Sequence, residues 1–172
     1  MPFTIPSGRK VVIGGKPVIE ELTIETGTGV KPGRLVKKGT DADDVVIIAA
    51  ATDKPSGWVG WDNEGAHPRT SPATRDTAYA TGTLAPIVYG PGTILVGKLA
   101  AGQNVTKDTP LIPAADGELE AASNIAAAES ASTRHVGATA GSFPPGGMIV
   151  ALAKQNCNAT SAAQNIIIES LI

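Results

Sequence analysis

The chain has 172 residues, and its 14 Lys and Arg against 16 Asp and Glu leave a formal charge of -2. That balance gives no long-range attraction to nucleic acid or to an anionic membrane, so neither is expected as a partner. The length suits one domain of ordinary size with an appended arm. Hydrophobic residues make up 42% of the sequence but aromatics only 3%, so the core must be aliphatic. The 20 Gly and 13 Pro punctuate the chain at short intervals, which favours many short strands over long helices.

The one cysteine, Cys157, rules out an internal disulfide framework and a multi-cysteine zinc site. Met1-Pro2-Phe3-Thr4 does not open a secretory leader, and no apolar run is long enough to span a bilayer. The expectation is a protein made in the cytosol. The sequons at Asn104 and Asn158 then mark only exposed, turn-like sequence.

In chain order, residues 1–15 read as an extended arm. Pro2 and Pro6 remove backbone donors, Arg9 and Lys10 are basic, and Val11 to Ile13 is a short apolar run before Gly14-Gly15. Val18 to Thr26 alternates partially and reads as a strand. An approximate internal repeat follows. Gly33-Arg34-Leu35-Val36-Lys37-Lys38 aligns with Gly102-Gln103-Asn104-Val105-Thr106-Lys107, and the two units end at Gly57 to Trp61 and at His135 to Thr139. Two such copies are expected to form two halves of one barrel.

Between the copies, Thr77 to Tyr89 reads as a strand, a turn at Gly82 and a second strand, and Thr93 to Leu99 as another after Gly90-Pro91-Gly92. Ala121 to Ser132 suits one short helix, with Ser123 as its N-cap. Gly147 to Leu152 and Ile166 to Ile172 read as strands separated by a polar spacer, Lys154 to Asn165. The expected fold is an all-β, small antiparallel barrel over residues 16–153, with the arm before it and the spacer and C-terminal strand, 154–172, after it.

No constellation for catalysis stands out. His67 and His135 lie in no nucleophile motif, and a hydrolase would have to combine one of them with Asp41 or Asp44. Asp41, Asp43 and Asp44 lack the later ligands and the mid-loop glycine of a calcium loop. Gly27-Thr28-Gly29 and Gly90-Pro91-Gly92 lack the Lys-Ser/Thr of a phosphate loop. Lys98 and Lys107 lack the neighbours of a carrier-domain lysine. No cofactor and no metal is expected. Trp58 and Trp61 are expected to face opposite ways along an extended strand, one in the core and the other at the rim or in a subunit or partner interface.

The stretches Val30 to Gly39, Trp58-Val59-Gly60, Thr81 to Ala122, His135 to Ala138 and Gly146 to Leu152 resemble the head decoration, or cement, proteins of tailed bacteriophages, whose fold is a β-tulip. The resemblance covers roughly residues 20–153; the spacer and the closing strand depart from it. It implies a non-enzymatic homotrimer on the outside of an icosahedral head, binding the major capsid protein and stabilising the shell. The arm residues Phe3, Ile5, Arg9, Lys10, Val11 and Ile13 would then contact the capsid by adding to its sheets, with Trp58 and Trp61 as further interface candidates. A shell- or tail-forming subunit and a host- or glycan-binding module on the particle are the alternatives.

Overall fold

The computed structural model describes residues 4–5, 10–25, 29–61, 72–122 and 148–172. Among these the protein is all β, and its one helical turn is the 3-10 turn Ala115–Gly117. The strands are β1 (Val12–Gly14), β2 (Val18–Ile24), β3 (Leu35–Lys38), β4 (Asp44–Ile47), β5 (Gly57–Val59), β6 (Leu84–Tyr89), β7 (Ile94–Leu99), β8 (Gln103–Val105), β9 (Pro110–Pro113), β10 (Leu119–Ala121), β11 (Ala151–Ala153), β12 (Cys157–Ala159) and β13 (Gln164–Ser170). Each is short because Gly, Pro or a polar turn interrupts the apolar run within three to seven residues.

The strands build two small barrels where the sequence suggested one. The first closes as β2-β4-β3-β5-β6. In the second, β7-β10-β9-β11-β13 returns to β7 through six paired residues, from Gln164 opposite Leu99 to Glu169 opposite Ile94. A ring of five strands cannot alternate direction all the way round, so one neighbouring pair must be parallel. Those pairs are β2–β4, at Thr23–Asp44 and Ile24–Val45, and β7–β10, at Leu99–Leu119. The expected all-β small barrel is observed, with one parallel pair in each otherwise antiparallel ring.

The two rings have the same topology. Taken in chain order, each is wound first, third, second, fourth, fifth strand, and the match extends to single hydrogen bonds. Gly33 N–H donates to Val59 O, and Val59 N–H to Arg34 O, while Arg34 N–H closes a turn on Lys31 O. In the second ring Asp108 N–H donates to Ala153 O, Ala153 N–H to Thr109 O, and Thr109 N–H to Thr106 O. Gly33 corresponds to Asp108 and Arg34 to Thr109, an offset of 75. The same offset carries Leu22 onto Gly97, and their ladder partners, Ala85 and Ile166, correspond with an offset of 81. The interiors correspond as well: Ile24, Val36, Val45 and Val59 fill the first barrel, and Leu99, Leu111, Leu119 and Ala153 the second.

The internal repeat is therefore real in kind but differs in register and meaning from the sequence reading. Each copy builds a whole barrel, and Gly33 matches Asp108 where the sequence suggested Gly102. Both Gly33 and Asp108 hold positive φ, +77° and +66°. Gly102 precedes β8, which among the described residues pairs with β12 in a separate two-stranded sheet. The expected end of the second unit, His135 to Thr139, lies outside the described residues.

Other boundaries also move. Val12 pairs with Leu95 and Gly14 with Ile94, so the second half of the expected arm is a strand of the domain. The polar spacer contains β12, and the C-terminal strand is no appendage, since β13 lies between β7 and β11 in the second ring. Residues 77–81 form no strand. Tyr79 is instead pinned alone, its N–H donating to Val30 O and its hydroxyl to Gly60 O at 3.1 Å. Of the expected helix, Ala121 ends β10 and Ala122 follows in a turn; the remainder lies outside the described residues.

Candidate functional site

Two features organise the surface: the join between the barrels and the root of the N-terminal segment. At the join the first barrel turns an apolar outer face, Leu35, Trp58 and Val88, onto the second, and these residues share one cluster with Leu95, Leu99, Leu111 and Ile168. The indole N–H of Trp58 donates to Ser170 Oγ at 3.1 Å, and that hydroxyl donates in turn to Ile172 O at 2.8 Å. Two glycines permit the close approach. A Cβ on Gly33 would lie 2.6 Å from Val96 O, and one on Gly117 2.5 Å from Leu35 O. Gly117 N–H also donates to Ile48 O at 2.9 Å.

Charges bridge the same join. Arg34, almost fully buried at the start of β3, pairs its guanidinium with Glu118 and lies 3.9 Å from Asp76. Asp76 in turn accepts from Lys98 Nζ at 2.9 Å, and this hydrogen bond, with the nearby Lys98 and Arg34 charges, holds its carboxyl below the ordinary value. Buried cations of this kind are tolerated only when they are paired. The other displaced groups also serve the fold. Lys37 lowers Asp53, which caps the backbone of Ala49 and Ala50, and Glu169 raises Lys154. Burial pushes the Cys157 thiol up.

Trp58 and Trp61 do not face opposite ways. They are 0% and 5% exposed and belong to one cluster. The alternation fails because β5 ends at Val59; Gly60, where a Cβ would crowd Pro86, lets the chain change course before Trp61. Trp61 donates its indole N–H to Pro72 O at 2.9 Å and carries the Arg75 guanidinium over its ring at 5.4 Å. Both tryptophans are buried within this chain.

The arm residues divide at Val11. Val11 is fully buried, its carbonyl accepts from Val96 N–H at 2.9 Å, and Lys10 O accepts from Arg75 Nη2 at 2.6 Å. Ile13 is half-buried in β1, Lys10 is exposed and Ile5 is half-buried. Phe3 and Arg9, like His67 and His135, lie outside the described residues. Asp41, Asp43 and Asp44 form the β3–β4 turn, where Gly39 N–H donates to Asp44 O, and among the described residues no group of three or more His, Cys, Asp or Glu is placed to hold a metal ion. Among those residues no helix is long and apolar enough to cross a membrane.

No protein-family model matches the chain, and no curated protein matches it. Among solved structures it is similar to the head fiber gp8.5 N base of bacteriophage phi29, with a TM-score of 0.49 and 13% identity over 90% of this chain and 94% of that one.

Proposed function

We propose that this chain is a capsid decoration protein: a non-enzymatic homotrimer that binds the outside of a bacteriophage head and stabilises it by clamping the major capsid protein. The reading rests on the resemblance to head decoration proteins, and the observation that carries it is the root of the N-terminal segment. The chain is fixed at Val11 on a two-barrel body and exposed at Lys10, so the residues before it start from a rigid base. Such a segment adds to a sheet edge of the capsid protein through main-chain hydrogen bonds, with Phe3 and Ile5 supplying side-chain fit. Three segments on one trimer act with avidity, and binding only the assembled shell stabilises that state by mass action.

The test is co-sedimentation of the purified protein with expanded heads that lack it, followed by electron microscopy. Saturable density on the outer surface, lost when residues 1–9 are removed, is the expected result. Absence of binding, or self-assembly into tubes or shells without heads, rules the proposal out.

A further inference from the structure

The correspondence between the barrels maps the two sides of the join onto surfaces that are left free. The face that the first barrel turns to the join is one ladder row, Leu35 opposite Trp58 and Trp58 opposite Val88, all fully buried. The same row in the second barrel is Pro110 opposite Leu152 and Leu152 opposite Glu169. One more bond fixes the match, since Gly60 N–H donates to Pro86 O as Lys154 N–H does to Ile167 O. In the second barrel, though, Pro110 is exposed, Leu152 and Glu169 are half-buried, and Lys154 Nζ donates to Glu169 Oε2 at 2.7 Å. The receiving side maps in the same way. Leu95, fully buried opposite Ile168, corresponds to Glu20 opposite Ile87. Leu119 opposite Leu99 corresponds to Val45 opposite Ile24, so Gly117, two residues earlier, corresponds to Asp43. A Cβ at Gly117 would lie 2.5 Å from Leu35 O, and Asp43 brings both a Cβ and a charge to the equivalent place. Ser170, which accepts from the Trp58 indole, corresponds to Tyr89, whose hydroxyl donates to Glu20 at 3.1 Å. Glu20 and Asp43 are exposed.

We infer that Lys154 and Glu169 at one end of the two-barrel row, and Glu20 and Asp43 at the other, close the row against a further barrel, so that a second copy of this chain is refused at the surfaces through which its own barrels join. The join itself shows what each free surface is shaped to meet, which is a barrel of the same fold. Its two sides differ, so a contact of this kind between copies is head-to-tail and runs on as a filament unless the rotation closes a ring. Repeating the join at the free ends would take the Lys154–Glu169 pair, Glu20 and Asp43 out of water, and burying charge in this way costs more than the apolar area of Leu152 returns. Terminal units of stacked repeats are kept soluble by polar outer faces for the same reason. The inference is independent of the phage-head reading and survives its failure.

Two variants of the full chain open one end each. Leu152→Trp with Lys154→Gly and Glu169→Val copies the first barrel's joining face onto the second, and Glu20→Leu with Asp43→Gly copies the second barrel's receiving surface onto the first. Analytical ultracentrifugation reads the outcome, after circular dichroism has shown that both variants fold. If the triple variant does not fold, Lys154→Met with Glu169→Leu, which keeps Leu152, opens the same end. Each variant alone should sediment as the wild type does, while their mixture forms a saturable complex, one chain to one, at least tenfold tighter than the association of either variant with the wild type. A mixture that sediments as the sum of its parts overturns the inference. So does wild-type protein that grows into chains with rising concentration and no longer does so as the Leu152→Asp variant, since its ends are then open.

Discussion

Trp58 on β5 and Ser170 at the end of β13 are 112 positions apart, yet the indole N–H of the first meets the hydroxyl of the second at 3.1 Å inside the join between the barrels. The bond ties the last strand of the second ring to the outer face of the first. With Leu35 and Val88 in the same cluster, it joins the two barrels through one apolar core.

Trp58→Phe removes the donor and should cost about 1 kcal/mol for the hydrogen bond plus the lost packing. Trp58→Ala should cost ~3–5 kcal/mol, in the range for a buried aromatic. Urea denaturation followed by far-UV circular dichroism measures both, and the wild type should show one transition. Two separated transitions would mean that the barrels unfold independently.

Gly33→Ala places a Cβ 2.6 Å from Val96 O at a φ of +77° and should destabilise by well over ~1 kcal/mol. Gly82 holds a similar φ, +72°, with nothing within 4 Å of its would-be Cβ. Gly82→Ala should therefore show only the left-handed strain, about 1 kcal/mol. Thermal melts of the two variants side by side separate backbone clash from backbone strain, and equal losses would count against the close approach at Gly33.

The Lys98 hydrogen bond and the Lys98 and Arg34 charges depress the folded pKa of Asp76 below its ordinary 3.8. Its contribution is therefore fully present above the unfolded value. It fades as pH falls through 3.8 and is gone below the folded value. Asp76→Asn should lower stability near neutrality and flatten its loss as pH falls through and below 3.8. Because Asp76 is well exposed, the effect should shrink in high salt. An unchanged acid limb in denaturant titrations across that range would refute the assignment.

Removing residues 1–9 should leave the melting temperature nearly unchanged, because among the described residues the first of the core is Val11, and Arg75 bonds the Lys10 carbonyl. Removing residues 1–14 strips β1 from β7 and should lower the melting temperature sharply. Equal melting temperatures for the two truncations would show that β1 does not stabilise the body.

What was legible in the sequence was local. The run Val18 to Ile24, the turn at Gly82, the strand after Gly90-Pro91-Gly92 and the β character of the last residues all follow from β-branched runs between turn formers. What was hidden depends on partners far away in the chain. Residues 11–14 look like an arm because their ladder partners, Leu95 for Val12 and Ile94 for Gly14, lie far along the chain in β7, and Lys154 to Asn165 looks like a spacer because β12 answers to β8. The duplication was sensed but aligned on the wrong residue. Glycine identity drew Gly33 toward Gly102, whereas the position requires a left-handed backbone, which the second copy meets with Asp108. Pairing turns by conformation, with Asp and Asn admitted beside Gly, would have found it.

The shared cluster at the join also sets an order of maturation. Every strand of the first ring lies within residues 18–89, so that ring can close as soon as this stretch has left the ribosome, while the second must wait for β13. During that interval Leu35, Trp58 and Val88 face water on a finished barrel, and the nascent chain is most vulnerable to sticking to its neighbours. Yield in the host should therefore respond to translation speed across residues 94–170 far more than across the stretch before it.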